Sequence, residues 1–232
     1  NEVFNSKKMY FFKNGYKELY ENIVNEIKNN VEFKMNLELC SFIQKNEIIE
    51  TYFNKNTQKF LTKKLLLCIP KDNLINMNSF DYNEVKLLNS VKSGSLCRLF
   101  VQFDMNKKKN MWMKDIKFSS VNNPIRQIIP IKKSIGLFQI SYTDWYYADY
   151  WGNLNNNDWC KLVKIFLEEV FCRKNIDMPI WYKRFYYKNA VHCWKPGVNE
   201  TYLYKKIMKI RKNVFIAGES YSKIQGWCEG SI

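Results

Sequence analysis

The chain has 232 residues, 46% apolar and 16% aromatic, with only 8 Gly and 5 Pro. Such a composition builds a packed core for one large or two small domains and excludes a fibrous or disordered chain. The formal charge of +15 invites anionic partners. Lys and Asn are nevertheless spread along the whole chain, so nucleic acid is not expected as a partner, and the densest run, Lys107–Lys109, reads as a solvated loop. No apolar run approaches the roughly 18 residues that a membrane-crossing helix requires. Seven cysteines occur without a CxxC pair and beside a single histidine, His192, which argues against zinc. Most of them, such as Cys68 in LLLCIP, read as buried reduced thiols, and that implies an intracellular, cytoplasmic setting. The sequence opens at Asn1 and closes at Ile232, where a helix is expected to begin, so both ends read as cut.

In chain order, the first element is an amphipathic helix over 16–29, in which Tyr16, Leu19, Tyr20, Ile23, Val24 and Ile27 recur at helical spacing after the turn Asn14-Gly15. Strands are expected around 37–43, 48–53 and 58–69, the last with the continuously apolar Leu65–Ile69 and a stop at Pro70. Another strand lies within 91–103. Along it Leu96, Arg98, Phe100 and Gln102 share one face, and Cys97, Leu99, Val101 and Phe103 form a wholly apolar second face that must be the buried one. Segments 125–131 and 136–143 read as a strand pair turning at Lys133-Ser134. A second strong helix is expected over 157–173, capped by Asn157 or Asp158, with Trp159, Leu162, Val163, Phe166, Leu167, Val170 and Phe171 on one face. An aromatic-rich stretch over 181–194, a short helix near 200–209 and a strand at 213–218 follow. The fold class is α/β in the mixed, α+β sense.

The segment that carries chemistry is NVFIAGESYSKIQGWCEGSI, residues 213–232. A strand runs into Gly218-Glu219, and GWCEG then places small residues at the start of an expected helix. Free backbone N–H groups at such a turn hold phosphate and other anionic groups, and glycine lets a ligand approach the backbone closely. On the residues alone, the same pattern also reads as an ordinary strand, turn and helix.

This segment resembles the C-terminal flavin motif of the flavin-containing amine oxidase family, with its strand, GE pair and G-aromatic-x-x-G helix start. Other blocks resemble that family in the same order: NGYKELYENIVNEI, KLLLCIPKDNL, SLCRLFVQF and PIWYKRFYYKNAVHCWKPGVN. The resemblance implies a two-domain fold that binds FAD, with parts of the FAD domain at 1–70 and 179–232 and a substrate domain at 71–178. It implies oxidation of a small-molecule amine by hydride transfer to the flavin. Gly218, Glu219, Gly226, Trp227 and Cys228 match cofactor-binding positions, and Leu39, Pro70 and Trp181 match further ones. Trp227 and Tyr186 match two aromatic positions beside the flavin ring, where an aromatic wall holds an amine by cation–π attraction. Val191 stands where relatives carry Tyr or Phe, so that cage loses a wall.

Two departures matter. Arg98 stands where the family carries a lysine linked through water to flavin N5, and an arginine cannot act as a neutral base. A surface arginine would give the same alternation along the strand. The family's N-terminal GxGxxG is also absent from these 232 residues. The chain therefore reads as a fragment whose nucleotide-binding half comes from the same parent chain or from another polypeptide. The alternative reading is a catalytically impaired flavoprotein relative that serves as a scaffold or interaction protein.

Overall fold

A computed structural model describes residues 15–227 and 230. The molecule combines helices with one five-stranded antiparallel sheet, one three-stranded antiparallel sheet and one pair of parallel strands. The mixed class expected from the sequence is therefore observed.

Helix α1 (Tyr16–Ile27) is followed by the meander β1 (Leu39–Lys45), β2 (Ile48–Phe53) and β3 (Gln58–Thr62). Strand β4 (Leu65–Leu67) is separate from β3 and pairs in parallel with β10 (Val214–Ile216) near the end of the chain. Between them come α2 (Lys71–Asn76), α3 (Tyr82–Leu88), β5 (Val91–Gln102), β6 (Ser119–Ser120), β7 (Gln127–Lys132), β8 (Leu137–Asp144), α4 (Trp145–Gly152), α5 (Asn156–Val170), β9 (Trp181–Trp194) and α6 (Glu200–Met208). The five-stranded sheet runs in the order β6-β7-β8-β5-β9.

Two apolar cores result. In the first, Cys97, Leu99, Val101 and Phe103 from β5 and its end pack with Phe138 and Ile140 of β8, Trp151 of α4 and Trp159, Val163 and Leu167 of α5. The period-2 alternation read from the sequence is what buries these four positions of β5 while Leu96, Arg98, Phe100 and Gln102 stay partly open. In the second, Phe42, Ile49, Leu67, Leu74, Leu88, Val91, Ile207, Val214 and Ile216 gather residues from β1, β2, β4, α2, α3, β5, α6 and β10. Val91 opens β5 in one core and Val101 nears its end in the other, so β5 spans both.

The second core draws on residues on both sides of position 70. Helices α2 and α3 belong to the second core with β4 and β10, because Leu74 and Leu88 have their apolar partners there. Residues Trp181–Trp194 stay in the five-stranded sheet, and the chain enters the second core only after them, through α6 and β10. Strand β9, expected only as an aromatic stretch, pairs with β5 from Trp181↔Gln102 to Trp194↔Val91.

Several local readings also shift. Helix α5 starts at Asn156, and Asn155 caps it by accepting from the Asp158 amide, so the cap lies upstream of Asn157 and Asp158. Helix α3 begins at an Asp81–Glu84 capping box that the sequence reading passed over. Helix α4 sits in the aromatic run WYYADYWG. Of the free cysteines described, only Cys97 and Cys160 are buried, and burial pushes their thiols up to about 11 and about 12. Cys68, Cys172 and Cys193 are exposed, so the expectation of mostly buried thiols does not hold; the apolar strand is only three residues long, Leu65–Leu67, and Cys68 lies just beyond it. Among the described residues no helix is long and apolar enough to cross a membrane, and no group of three or more metal-ligating side chains is present.

The second core is tied together by charge as well as packing. The Arg211 guanidinium donates Nε to Glu84 Oε1 (2.6 Å) and Nη2 to Glu84 Oε2 (2.5 Å) and to the Ser79 carbonyl (2.8 Å). Glu84 Oε2 also accepts the Asp81 amide, so one carboxylate caps α3 and anchors the turn before β10. Replacing Arg211 with Met leaves a largely buried carboxylate without its fork. The expected loss is about 2–3 kcal/mol of unfolding free energy, read from urea denaturation. A loss under about 0.5 kcal/mol, the usual range of a surface substitution, would show that the pair does not hold the turn.

Candidate functional site

Strands β4 and β10 are parallel and end side by side, at Leu67 and Ile216. Open α/β sheets hold ligands in the crevice beyond the carboxyl ends of such strands. Here that crevice contains the turns Cys68-Ile69-Pro70 and Ala217-Gly218-Glu219-Ser220, which line a cavity of about 270 Å³ together with Asn189, Ala190 and His192. Gly218 has φ +112°, which L side chains rarely adopt, and a Cβ placed on it would meet nothing within 4 Å. Gly226 is alike, at φ +81° with open space beside it. Both glycines thus present bare backbone to an approaching group.

Two larger cavities adjoin this one. Ala190, His192 and Glu219 also line a cavity of about 720 Å³, whose walls include Leu96, Arg98, Gln127, Tyr142, Asp144, Trp145, Val191, Gly226 and Trp227. On the other side, Ile69 and Pro70 also line a cavity of about 660 Å³ with Leu39, Cys40 and Met77. Three cavities with shared walls therefore run from Leu39, past Pro70, Gly218 and Glu219, to Trp227 and Arg98.

Glu219 is the hinge of this row. Its Oε1 accepts the His192 amide (3.1 Å) and the Gly226 amide (2.6 Å), and its Oε2 lies 2.6 Å from His192 Nδ1. Burial raises the Glu219 pKa, but the hydrogen bonds from His192 and Gly226 outweigh it and hold the carboxyl below its ordinary value of 4.5. An ionised carboxylate only accepts, so Nδ1 of His192 carries the proton shared with it. The Ser220 hydroxyl lies 3.3 and 3.4 Å from the two ring nitrogens, and the His192 side chain is buried. Gln225 closes the loop, accepting from the Trp194 amide (2.8 Å) and donating to the Ser220 carbonyl (2.7 Å). One carboxylate thus fastens strand β9 to the 218–226 loop.

Arg98 lines the largest cavity rather than pointing into open solvent. Its Nη1 donates to the carbonyls of Cys97 (2.9 Å) and Thr143 (2.8 Å), and its Cζ lies 3.1 Å from the Tyr142 ring centroid. Burial lowers the affinity of this guanidinium for its proton, while Tyr142 and Asp144 raise it.

The other expected site residues divide. Gly218, Glu219, Gly226 and Trp227 fall on the row of cavities, as do Leu39 and Pro70. Tyr186 does not: it pairs with Cys97, on the opposite face of the sheet from Arg98, where its hydroxyl donates to Asp149 Oδ1 (2.8 Å) and its ring covers Gly152. Trp181 pairs with Gln102 near the far end of β5 and lines none of the three cavities. Cys228 and most of the helix expected after Gly226 lie outside the described residues.

Tyr142, Asp144, Trp145 and His192 are among the cavity residues that the sequence did not mark as site residues. Trp145 stands close to the wall expected to be missing at Val191. Gly94 pairs with Val191, and a Cβ on Gly94 would fall 2.5 Å from the Trp145 ring, so glycine at 94 is what admits the indole. A non-glycine residue with positive φ, as Trp145 has at 50°, is an unusual conformation that side-chain chemistry alone does not announce.

Comparison with protein-family models and with curated proteins finds no match to this chain.

The Glu219 network makes a pH prediction. A carboxyl held below its unfolded value stabilises the fold fully above about pH 4.5, and that stability is lost as pH falls through the folded value. The urea midpoint of the protein should therefore drop between about pH 5 and pH 3 by more than that of Glu219→Gln. Parallel pH profiles for the two proteins would show that the carboxylate carries no such stabilisation.

Proposed function

We propose that the parent protein is an FAD-dependent amine oxidase that oxidises a small-molecule amine to the imine with formation of hydrogen peroxide, and that this chain carries its substrate sheet and the C-terminal part of its flavin site. The observation that carries the reading is the row of three cavities with shared walls. A flavin dinucleotide is long, with an apolar ring at one end, a charged diphosphate in the middle and an adenosine at the other. The row has matching character: aromatic and charged walls at Trp227 and Arg98, bare glycine backbone at Gly218 and Gly226, and apolar walls at Leu39 and Pro70. The cavity of about 720 Å³ falls within the usual size of cofactor and ligand pockets.

The residues of this chain have separable roles in that reading. Gly218 and Gly226 let the cofactor approach the backbone. His192 and Glu219 hold the loop that carries both glycines to strand β9. Tyr142, Trp145 and Trp227 wall the ring end and keep water from the reacting carbon. When bound, the flavin would supply the acceptor for a hydride from the carbon beside the amine, with oxygen as the final oxidant. Arg98 keeps its charge and therefore orients groups rather than removing a proton. The setting proposed is intracellular and cytoplasmic, with the nucleotide-binding half supplied by the parent chain or a second polypeptide.

The test uses the protein with that half present. Anaerobic addition of an amine substrate should bleach the flavin absorbance, and air should restore it with release of peroxide. Gly218→Val should weaken FAD binding by roughly tenfold or more, because a branched side chain resists positive φ and occupies the approach. Arg98→Lys should speed flavin reduction and Arg98→Met should abolish it. Bound FAD that no amine reduces would leave a flavoprotein scaffold instead of an oxidase. Failure to bind FAD at all would remove the reading.

A further inference from the structure

The cavity of about 720 Å³ is lined by Arg98 and by Asp144, which attract each other through space but form no ion pair. Arg98 and Asp144 lie on adjacent strands, with Arg98↔Tyr142 and Leu96↔Asp144 as neighbouring pairs of the β5–β8 ladder. They are therefore diagonal neighbours on one face, about 7 Å apart at Cβ. Arg98 is fixed by its two carbonyl acceptors and by the Tyr142 ring, and it has no ion-pair partner among the described residues. Asp144 occupies the N-cap position of α4, where aspartate ordinarily accepts an amide of the first turn, yet it makes no capping bond. Asp144 is exposed and lines both this cavity and a neighbouring one of about 320 Å³ that Arg126 also borders. The other carboxylate in the wall, Glu219, is already engaged by His192 and Gly226, which leaves Asp144 as the acceptor open to a ligand.

A purely cationic amine would meet Asp144 but also the fixed positive charge of Arg98. A purely anionic ligand would meet the reverse. A ligand carrying both charges close together satisfies both groups. Two charge-assisted hydrogen bonds of about 2.8 Å, placed on either side of an α-carbon, span a gap of this size. The guanidinium fork matches a carboxylate in shape, and a carboxylate is the natural acceptor for an ammonium. Beside them stand the Trp145 ring, held over Gly94, and Trp227, which present apolar area to a side chain.

We propose that this cavity binds zwitterionic ligands of the α-amino-acid type, with the carboxylate on Arg98, the ammonium on Asp144 and the side chain against Trp145 and Trp227. As a statement of substrate class it rests on the amine-oxidase reading; as a statement of binding it can be tested without a flavin.

The test is a titration of the full 232-residue chain with three probes of similar shape: L-leucine, 3-methylbutylamine, which lacks the carboxylate, and 4-methylpentanoate, which lacks the amine. Binding is read from tryptophan fluorescence and from ligand-observed NMR. Leucine should bind at least tenfold more tightly than either singly charged probe. Asp144→Asn, which keeps the shape and the helix position, should weaken leucine about tenfold and 3-methylbutylamine more than 4-methylpentanoate. Arg98→Met should weaken leucine to a similar degree with the opposite order for the two analogues; Arg98→Lys should recover part of the loss. Circular dichroism establishes that each variant is folded, and the analogue series with the unaltered chain serves if one is not. Leucine binding no tighter than its analogues, or unchanged by Asp144→Asn, overturns the proposal. The two levels separate cleanly. Leucine binding without flavin reduction in the complete protein would defeat the oxidase reading alone. Flavin reduction by simple amines with no leucine binding would defeat this inference alone.

Discussion

Everything at the candidate site depends on the ladder between β5 and β9. These are the longest strands described, 12 and 14 residues, and they run together through both apolar cores. Their pairing is regular at both ends and broken once, where the three residues Lys188–Ala190 stand opposite Ser95. Asn189 takes positive φ there, as bulged backbone commonly requires. The irregularity lies where the largest cavity opens, with Leu96 and Arg98 on one side of it and Val191, His192 and Cys193 on the other. A bulge that bends a strand beside a cleft re-aims side chains without breaking the sheet. Here it allows one pair of strands to serve both as core of the five-stranded sheet and as wall of the crevice.

The second half of the site is held to this ladder by hydrogen bonds, beside the contact of Tyr221 with Trp194. Glu219 receives two amides and a histidine, and Gln225 bridges Trp194 to Ser220. The 218–226 loop has little regular structure of its own beyond one turn of 3-10 helix at Glu219–Tyr221. Tyr221 anchors the base of that turn in the second core, its hydroxyl donating to the Leu88 carbonyl (3.0 Å). A loop that must leave backbone open for a ligand cannot also bury that backbone against the protein. Fixing it through a few charged and amide contacts meets both demands.

Among the described residues, Arg98 is the member of the abundant lysines and arginines that lines one of the three cavities, and it contributes through geometry. Lys107 and Lys109 pair with Asp177 and line none of the three cavities. Lys92 lies 5.2 Å from the Trp145 ring centroid and supports the indole from the strand edge. Arg98 differs because two carbonyls and a tyrosine ring fix it in one orientation, with Asp144 on the next pair of the ladder. An immobilised guanidinium is a recognition element, whereas a mobile surface lysine is mostly a solubility element.

By itself the sequence determined what rests on local periodicity and local chemistry. The alternation along 96–103 identified the buried face of β5 correctly, because a period of two is a property of the strand and not of its neighbours. The amphipathic pattern located α5, and Gly218 was read as a point of close backbone approach, which its open surroundings match. The cap of α5 and the extent of β9 were missed, since Asn155, Asn156, Asn157 and Asp158 are all competent caps and a strand with one half in each core shows no clean alternation. What only the tertiary structure decided is which residues meet. Tyr186 and Arg98 both lie on paired strands, yet Tyr186 faces Cys97 and therefore the other side of the sheet, which depends on register and cannot be read from either strand alone. His192 and Glu219 are 27 positions apart and meet through hydrogen bonds between β9 and the 218–226 loop, while Arg98 and Asp144 are 46 apart and are brought together by the β5–β8 ladder. The cavity is a product of that register, because side chains with no mutual signal in the sequence share a wall only after the ladder has brought their strands together.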